Sequence, residues 1–371
     1  MMAGFCVFYC LLWLLLLAYV IWRLATRRGT PASLPLPAVL PRISILVAAR
    51  NEEMSLPRCL ASLRALDYPA HLVQVLVGDD ASTDNTRAVA EAAMSGYDGD
   101  FQLITITSTL GRARGKANVL AHLTHHATAD YWLLTDADIE LPPTWATAML
   151  AHAAPGVGTI TGLTVVVGQG LLARLQGLDW LLSLSLIQVG SDAGQPMTAM
   201  GNNMLVTRAA YQATGGYEAL PFSVTEDFAL FEAVNAQGYG YRQVFAPAVR
   251  ATSAPANSWQ ALVQQRLRWL RGVAALPARI QAGLVFLSGY WLAVLGLVAI
   301  GSLWLALTAV VLKLVMQYAQ ALAATRRAGL PEPPLWLLLP FELYSLALTV
   351  HLTLARLLGP RGVEWKGRQY E

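Results

Sequence analysis

The first 22 residues of the chain are apolar throughout, and charged residues begin only after them. Residues 1–22 contain no Asp, Glu, Lys or Arg, and Arg23, Arg27 and Arg28 follow closely. A run of this length is long enough to cross the hydrocarbon core of a bilayer as a helix. A cleavable signal peptide would instead carry its basic residues before a shorter apolar core. The pattern therefore predicts a transmembrane anchor over residues 1–28, with its arginine end in the cytoplasm.

A second apolar zone occupies residues 281–358 and predicts two or three further membrane spans. Residues 283–312 contain no charged side chain, and Gly301-Ser302 offers a turn that would divide the zone into separate spans. A further span is predicted at 335–358. Three spans are the preferred interpretation, although they place the basic tail, residues 359–371, on the side that its charges disfavour. The alternative treats 283–312 as one long span.

Lys313 fits this apolar zone least well. It would lie inside the second of the three spans, where an ammonium group is costly unless the side chain reaches the membrane surface. Glu342 lies in the next apolar segment, close to Pro340. The sequence therefore predicts that Lys313 extends toward the interface.

Between the two apolar zones, predicted strands alternate with predicted helices. Residues 29–41 form a proline-rich linker, and residues 42–280 are interpreted as one cytoplasmic domain. Four short runs in this domain are apolar throughout, which is typical of strands covered on both faces. They read ISILVAA, VQVLVGD, FQLITIT and YWLLTDA. The alternation predicts an α/β fold with a mostly parallel sheet, in which ligands bind beyond the carboxyl ends of the strands.

Polar side chains follow three of these strands, at the point where each strand ends. The motifs are ARNE after the first strand, GDDAST at the end of the second and TDAD at the end of the fourth. Asp136, Asp138 and Glu140 take alternate positions, so we expect their carboxylates to share one face of a single strand. Carboxylates at i and i+2 suit Mg²⁺ or Mn²⁺, which can bridge phosphate oxygens. A lone acidic pair is usually only solvated, but two pairs at neighbouring strand ends favour a bound cation.

Composition narrows the class of protein further. The 371 residues are 55% hydrophobic and 13% charged, whereas an ordinary soluble domain is about 25% charged. This difference supports an integral membrane protein. The net charge of +3 and the scattered basic residues argue against a nucleic-acid partner. Cys6, Cys10 and Cys59 lie in apolar or helix-like contexts that do not indicate a disulfide framework.

Two predicted helices carry further polar motifs. One begins at TED, so Glu226 and Asp227 lie in its first turn, where acidic residues also interact favourably with the helix dipole. The other contains QQRLRWLRG, in which Gln265, Arg268 and Trp269 share one face at i, i+3 and i+4. An amphipathic basic helix at a membrane surface would show the same second pattern. Neither motif alone distinguishes a catalytic role from these structural roles.

Taken in order along the chain, the motifs resemble those of membrane-bound family 2 glycosyltransferases. The matching stretches are AARNEE, VLVGDDASTDNT, GKAN, TDAD, GNNMLVTR, TED and QRLRW, from about residue 42 to residue 272. A single D-x-D is a weak signal, whereas D-D, D-x-D, T-E-D and Q-x-x-R-W in this order are specific. With one anchor before and a few spans after the motifs, the chain is most similar to ceramide-glucosyltransferase-like enzymes and to bacterial lipid or carotenoid glycosyltransferases.

The resemblance implies a GT-A fold, which is Rossmann-like, and inverting transfer of a sugar from a nucleotide diphosphate sugar, with a UDP-sugar as the leading candidate. It makes Asp227 the general base, with Glu226 beside it, and it makes Lys116 a phosphate contact. Asp138, with Asp136, would hold Mg²⁺ or Mn²⁺. The other implied site residues line the nucleotide pocket (Ala49, Arg50, Glu52, Asp79 and Asp80) or cover the diphosphate and the acceptor (Gln265, Arg268 and Trp269). Which of the two adjacent aspartates contacts the nucleobase stays open.

Residues 170–190 are apolar with a few polar positions, and they bear on the acceptor. We interpret them as an interfacial helix in the headgroup zone of the membrane, with Trp180 and Leu181-Leu182 toward lipid. A buried core helix is the alternative. A site at the membrane face suits a lipid acceptor, and the expected location is the bacterial inner membrane with the catalytic domain in the cytoplasm.

Two other functions fit parts of this pattern. A processive polysaccharide synthase would use the same chemistry, but it would need more spans to form a channel for its polymer. A catalytically silent scaffold that binds nucleotide sugar would have no need to retain Asp138, Asp227 and Arg268 together. Transfer of a single sugar to a membrane lipid is therefore the preferred hypothesis.

Overall fold

The computed structural model describes residues 1–27, 32–273, 278–358, 363–365 and 368–370. The chain forms two compact units. The helical unit comprises Met1–Thr30, Gln169–Ala193 and Ala256–Pro360, and the sheet unit comprises Pro31–Gly168, Gly194–Pro255 and Arg361–Glu371. Parts of four predicted segments lie outside the described residues, namely Arg28 of the anchor, 29–31 of the linker, 274–277 of the cytoplasmic domain, and 359–362, 366–367 and 371 of the basic tail.

The described helices and strands follow the predicted alternation through the middle of the chain. The strands are β1 (Ile43–Ala49), β2 (Val73–Asp79), β3 (Asp100–Thr105), β4 (Tyr131–Asp136), β5 (Ile139–Glu140), β6 (Val157–Thr161), β7 (Thr164–Val166), β8 (Asn203–Thr207), β9 (Gly240–Gln243), β10 (Ala251–Ser253), β11 (Val363–Trp365) and β12 (Arg368–Tyr370). The helices are α1 (Met2–Thr26), α2 (Leu56–Arg64), α3 (Thr86–Met94), α4 (Lys116–His126), α5 (Trp145–Leu150), α6 (Gly170–Asp192), α7 (Arg208–Ala213), α8 (Gly216–Ala219), α9 (Glu226–Ala236), α10 (Trp259–Val273), α11 (Ala278–Ser288), α12 (Tyr290–Ala299), α13 (Leu303–Ala328) and α14 (Leu338–Leu358).

The main sheet has the strand order β3-β2-β1-β4-β8-β6-β9. β1 pairs in parallel with both β2 and β4, and β2 pairs in parallel with β3. β8 runs antiparallel to β4 and to β6, and β9 is parallel to β6. The predicted α/β class with a mostly parallel sheet is therefore confirmed, and β8 is an antiparallel strand between two parallel groups.

Helices pack on both faces of the parallel strands, which explains why these strands are apolar throughout. On one face, Ile45 and Val47 of β1 share a core with Leu60 of α2. On the other face, α4 approaches β2 so closely that a Cβ at Gly78 would lie 2.4 Å from a Val119 methyl carbon. A glycine at this position therefore lets α4 pack on the sheet.

The predicted single strand across Asp136, Asp138 and Glu140 is wrong. β4 ends at Asp136, the chain turns, and β5 pairs with β10 in a separate three-stranded sheet. This turn lets Ile139 enter the core, where it is 1% exposed. Glu140 is exposed and its carboxylate lies 3.9 Å from Arg58 Nε, so the three carboxylates do not share one strand face.

Several helices of the helical unit are long and apolar enough to cross a membrane. By length and composition, the candidates in the described part of the chain are Met2–Thr26, Gly170–Asp192, Leu303–Ala328 and Leu335–Leu358, with the pair α11 and α12, bent by 41°, as a further candidate. α1 coincides with the predicted anchor. The C-terminal candidates coincide with the three preferred spans, and the chain turns at Gly301, whose φ is 76°, as the sequence predicts.

α6 belongs to the helical unit, and so does α10. The predicted domain at 42–280 therefore differs from the sheet unit, which omits both helices. Leu181 and Leu182 are 4% and 7% exposed, and the rings of Trp180 and Trp269 lie 4.8 Å apart. The expectation that the two leucines face lipid is wrong, because they pack inside the helical unit. Placement of α6 at the membrane interface stays a prediction.

Lys313 does not extend toward the membrane surface. Its ammonium lies 2.5 Å from both carboxylate oxygens of Glu342 and 2.7 Å from Gln317 Oε1. Lys313 and Glu342 are each 6% exposed. The expectation that Lys313 extends toward the interface is wrong, because a carboxylate on α14 neutralises it within the helical unit.

Candidate active site

Two loops at the carboxyl ends of β1 and β2 are held together by hydrogen bonds. The Asn51 amide donates to Ser82 Oγ at 2.9 Å, and the Thr83 amide donates to Asn51 Oδ1 at 2.8 Å. Asn51 and Ala81 have φ values of 53° and 51°. The left-handed region is costly for a residue with a β-carbon, Ala81 in particular, and such conformations cluster at functional sites. These loops therefore form a fixed rim at the edge of the sheet where ligands bind in this topology.

The residues predicted to line the nucleotide pocket come together at this rim. Arg50 Nη1 donates to the Asp80 carbonyl at 2.6 Å and lies 3.7 Å from Asp80 Oδ2. The Asp80 amide donates to the Ala49 carbonyl at 2.9 Å. Asp79 Oδ1 accepts from the Ser82 amide at 3.1 Å. The two aspartates are 2% and 7% exposed, so both hold the loops as well as facing the rim.

Glu52, the last of the residues predicted for this pocket, also holds the rim. Its amide donates to Thr86 Oγ1 at 2.8 Å, and its carboxylate accepts from Ser55 Oγ at 2.5 Å. The local contacts of Glu52 thus tie the first loop to α3 and to the start of α2. Its role toward a nucleotide stays a prediction.

Lys116 brings carboxylates from two distant segments together. Its Nζ lies 2.5 Å from Asp136 Oδ1 at the end of β4 and 2.9 Å from Glu226 Oε1 at the start of α9. Lys116 begins α4 after Gly115, whose φ of 55° and ψ of −133° suit glycine alone. Burial opposes the ammonium charge, but the Asp136 and Glu226 carboxylates outweigh burial and raise the pKa of Lys116. The lysine is therefore a fixed positive charge.

Asp227 lies beside this ion cluster, on the first turn of α9. Its Oδ2 accepts a hydrogen bond from the Gly201 amide at 2.7 Å, and its Oδ1 accepts one from the Phe228 amide at 2.8 Å. Burial and, to a smaller extent, the neighbouring Glu226 carboxylate raise the pKa of Asp227 to about 6, although Lys116 and the two amide hydrogen bonds oppose this rise. A carboxyl group with this pKa is ionised at pH 7 and is a stronger base than an ordinary aspartate.

Gly201 is a site residue whose role the sequence did not reveal. A Cβ at this position would lie 3.0 Å from the Asp227 Cβ and 3.5 Å from Lys116 Nζ. The signal was present in GNN before β8, because a glycine at a strand entry allows the backbone to approach another group closely. Asn203 of the same motif is structural. Its buried amide binds Trp145 Nε1 and two backbone carbonyls.

The Asp136 carboxylate suits a divalent cation that arrives with a phosphate ligand. In the described part of the chain, no group of three or more His, Cys, Asp and Glu side chains is placed to hold a metal. Asp136 nevertheless holds a cation, since the ammonium of Lys116 contacts it. Mg²⁺ is commonly held by one or two carboxylates together with substrate phosphates. Asp136 fits that arrangement, and the role of Asp138 as a second ligand stays a prediction.

Gln265, Arg268 and Trp269 all lie on α10, in the helical unit. The neighbouring Arg266 lies over the Trp269 ring, with Cζ 4.5 Å from its centroid, and it donates to Asp179 Oδ2 at 2.7 Å. These contacts fix α10 against α6. The predicted position of the three motif residues over the catalytic cluster of the sheet unit stays a prediction.

The fold matches a known class of protein. A mannosyltransferase from Pyrobaculum calidifontis, solved with GDP-mannose and Mn²⁺, superimposes with a TM-score of 0.60 over 88% of this chain and 99% of that one, at 21% identity. The described architecture is thus a GT-A glycosyltransferase fold with associated apolar helices. The chain also matches the model of glycosyl transferase family 21 over residues 7–371. It belongs to glycosyl transferase family 21.

Two relatives indicate the range of similar enzymes. A beta-monoglucosyldiacylglycerol synthase from Synechocystis is 26% identical over 235 residues, which are 62% of this chain and 48% of that protein. A poly-beta-1,6-N-acetyl-D-glucosamine synthase from Staphylococcus epidermidis is 24% identical over 234 residues, which are 62% of this chain and 54% of that protein. The chain thus spans about half the length of the curated relatives it matches.

Proposed function

We propose that this protein transfers a single sugar, with inversion, from a nucleotide diphosphate sugar to a hydroxyl group of a membrane lipid. The observation that carries the proposal is the cluster of Asp136, Lys116, Glu226 and Asp227 at the ligand-binding edge of the sheet. It combines a fixed cation, a carboxylate suited to a metal and a carboxylate with a raised pKa. Family membership supports glycosyl transfer as the reaction class.

Asp227 is proposed as the general base that accepts the proton of the acceptor hydroxyl. In the proposed step, the acceptor oxygen attacks the anomeric carbon, and Asp227 removes the hydroxyl proton. The bond between that carbon and the diphosphate breaks, and its electron pair leaves with the diphosphate. The amides of Gly201 and Phe228 hold the two carboxylate oxygens. A correctly placed general base contributes about 10²–10⁴-fold to the rate. A single base opposite the leaving group yields inversion.

In the same step, Lys116 neutralises negative charge on the leaving diphosphate. Its ammonium is buried in the cluster and needs no proton uptake at neutral pH. We expect it to leave Asp136 and contact the phosphates when the nucleotide sugar binds. Asp136 and Asp138 would then hold Mg²⁺ or Mn²⁺, which supplies further neutralisation of the leaving group. Gln265, Arg268 and Trp269 are proposed to close the site over the diphosphate and the acceptor.

The apolar helices support a lipid acceptor. The candidate spans would hold the enzyme in the membrane, where lipid hydroxyl groups are concentrated at the surface. The relative from Synechocystis is named for a glucosyldiacylglycerol product, so diacylglycerol is the first acceptor to test. The arginines after α1 favour the bacterial inner membrane with the site on the cytoplasmic side.

A polysaccharide synthase is the second candidate, because a poly-N-acetylglucosamine synthase is a relative of similar sequence identity. The two candidate functions differ in their product, which is a lipid with one sugar in the first and a polymer of sugars in the second.

The product is identified by a labelling experiment. We would incubate membranes containing the full chain with radiolabelled UDP-glucose, UDP-galactose, UDP-N-acetylglucosamine or GDP-mannose, and extract with organic solvent. Label in the lipid extract is expected, abolished by EDTA and restored by Mn²⁺. Label in an insoluble polymer would support the synthase, and absence of label would contradict glycosyl transfer.

A further inference from the structure

Tyr217 carries a buried hydroxyl group without a hydrogen-bond partner in the part of the chain that the structure describes. Its side chain is 3% exposed. Burial raises the pKa of Tyr217, and the Glu226 carboxylate raises it further. An unpartnered buried hydroxyl is costly to a fold. Because Tyr217 and Glu226 line a common recess, this hydroxyl suits a partner that arrives from outside the chain.

The ring of Tyr217 is fixed on the protein side. It meets the Tyr211 ring edge-on, with centroids 5.6 Å apart, and the Tyr217 amide donates to the Tyr211 hydroxyl at 3.0 Å. Tyr211 in turn packs edge-on against Trp132, at 5.1 Å. A ring supported in this way cannot turn its hydroxyl toward another part of the protein. The Tyr217 ring is therefore held in place by its aromatic neighbours.

A recess opens beside this tyrosine. Its lining includes Tyr217, Glu226, Arg114, Ala117, Leu220 and Phe222. Its cavity volume is about 10 Å³, close to the space that one water molecule needs. The recess is therefore too small for a lipid or a nucleotide sugar, but it can take one hydroxyl group of a sugar ring. Apolar walls with a carboxylate and a hydroxyl suit the C–H and O–H groups of such a ring.

The proposed mechanism places the transferred sugar next to these groups. The sugar is bonded to the diphosphate, which is expected at Lys116, and its anomeric carbon must lie within reach of an acceptor oxygen at Asp227. Glu226 contacts Lys116 directly and is the chain neighbour of Asp227. A sugar ring between Lys116 and Asp227 would therefore lie beside Glu226, which lines the recess together with Tyr217.

We propose that Tyr217 and Glu226 form the binding subsite for the transferred sugar. The Tyr217 hydroxyl donates a hydrogen bond to one sugar hydroxyl, and the Glu226 carboxylate accepts one from the same ring. Tyr217 is thereby a specificity-determining residue, because an epimer with a displaced hydroxyl leaves the buried donor unpaired. This inference rests on the proposed function for the position of the ring.

Tyr217→Phe tests the subsite, since it removes the hydroxyl alone. We would measure binding of UDP-glucose, UDP-galactose, UDP-N-acetylglucosamine, GDP-mannose, UDP and GDP to the full chain in lipid nanodiscs by calorimetry. The variant should bind the preferred nucleotide sugar about tenfold more weakly, with unchanged affinity for the free nucleotide and a reduced preference between epimers. Its unfolding temperature should equal or exceed that of the wild type, because an unpaired buried group is lost.

Tyr241→Phe is the matched control. Tyr241 lies on β9 with its ring edge-on to Phe231, in the same unit, and its variant should bind every ligand as the wild type does. An equal effect of Tyr217→Phe on nucleotide and nucleotide sugar, or no effect on either, would overturn the subsite. Because binding is measured without turnover, a wild-type chain that binds nucleotide sugar but transfers none would contradict the proposed function and leave the subsite supported.

Discussion

Lys116 and Asp227 determine the charge of the candidate site. Lys116 bridges two carboxylates, Asp136 and Glu226, that lie 90 positions apart in the chain, and Asp227 has a pKa of about 6 because burial opposes its charge. The sequence predicted that Lys116, Asp136, Glu226 and Asp227 belong to one site through the order of their motifs. It did not predict that the lysine contacts the two carboxylates, because the ion pairs depend on how β4, α4 and α9 meet.

The pKa of Asp227 predicts the pH dependence of the reaction. A general base must be ionised, so kcat/KM, which reports the free enzyme, should fall about tenfold per pH unit below pH 6 and level off above it. A steady-state pH profile between pH 4.5 and 8 checks this. A profile that stays flat down to pH 4.5 would mean that Asp227 has an ordinary pKa or is not the base.

The raised pKa of Asp227 also predicts that ionisation of this carboxyl group lowers the stability of the fold. The folded-state pKa of about 6 exceeds the reference value of 3.8, so the ionised Asp227 destabilises the fold above pH 6, and this penalty disappears as the pH falls toward 4. Asp227→Asn removes the penalty. The variant should unfold at a higher temperature than the wild type at pH 8, and the difference should vanish near pH 4. A wild type that is more stable at pH 8 would contradict the assignment.

The contact between Lys116 and Asp136 predicts that Lys116 weakens metal binding in the absence of nucleotide. Because its ammonium contacts Asp136 in the ligand-free protein, it competes with a divalent cation for that carboxylate. Lys116→Met should bind Mn²⁺ about tenfold more tightly than the wild type in the absence of nucleotide, as expected for removal of a nearby like charge. Electron paramagnetic resonance of free Mn²⁺ measures this. Arg64→Met, which removes a cation that binds the Ala93 and Ser95 carbonyls, is the control and should leave Mn²⁺ affinity unchanged.

At the level of elements, the runs of Val, Ile and Leu predicted β1, β2 and β4 because strands buried on both faces need apolar residues throughout. The end of β4 was missed because β5 leaves the main sheet to pair with β10, a segment more than 100 residues away. The burial of Leu181 and Leu182 on α6 was missed for a similar reason. The sparse polar residues of α6 are typical of a helix at a membrane interface. In the structure they have partners within the protein, since Arg266 pairs with Asp179 and Gln320 donates a hydrogen bond to Ser185.

The ion pair between α13 and α14 yields a prediction at this scale. Lys313 and Glu342 are both buried, and removal of one partner from a buried pair leaves an uncompensated charge that costs about 3–5 kcal/mol. Glu342→Met should therefore destabilise the helical unit strongly. The double variant Lys313→Met with Glu342→Met should recover most of the loss, because it leaves no buried charge. Thermal unfolding in detergent measures both, and a double variant no more stable than the single one would contradict a pairwise role.

At the scale of the whole molecule, the sequence predicted a membrane-associated α/β enzyme, and the structure divides it into a sheet unit with the candidate site and a helical unit with the candidate spans. The division was not predicted in detail because α6 interrupts the catalytic motifs in sequence and α10 carries the last of them, while both helices belong to the helical unit. Their membership depends on contacts between helices far apart in the chain, which periodicity does not reveal.

The claim that Asp227 is the base of a lipid glycosyltransferase is tested most directly by Asp227→Asn in the full chain. Label transfer from the preferred radiolabelled nucleotide sugar to extractable lipid should fall at least 10²-fold, the lower end of the contribution of a general base of about 10²–10⁴. Calorimetry should show binding of the nucleotide sugar retained within a few-fold. Transfer by this variant at a rate comparable to that of the wild type would contradict the account.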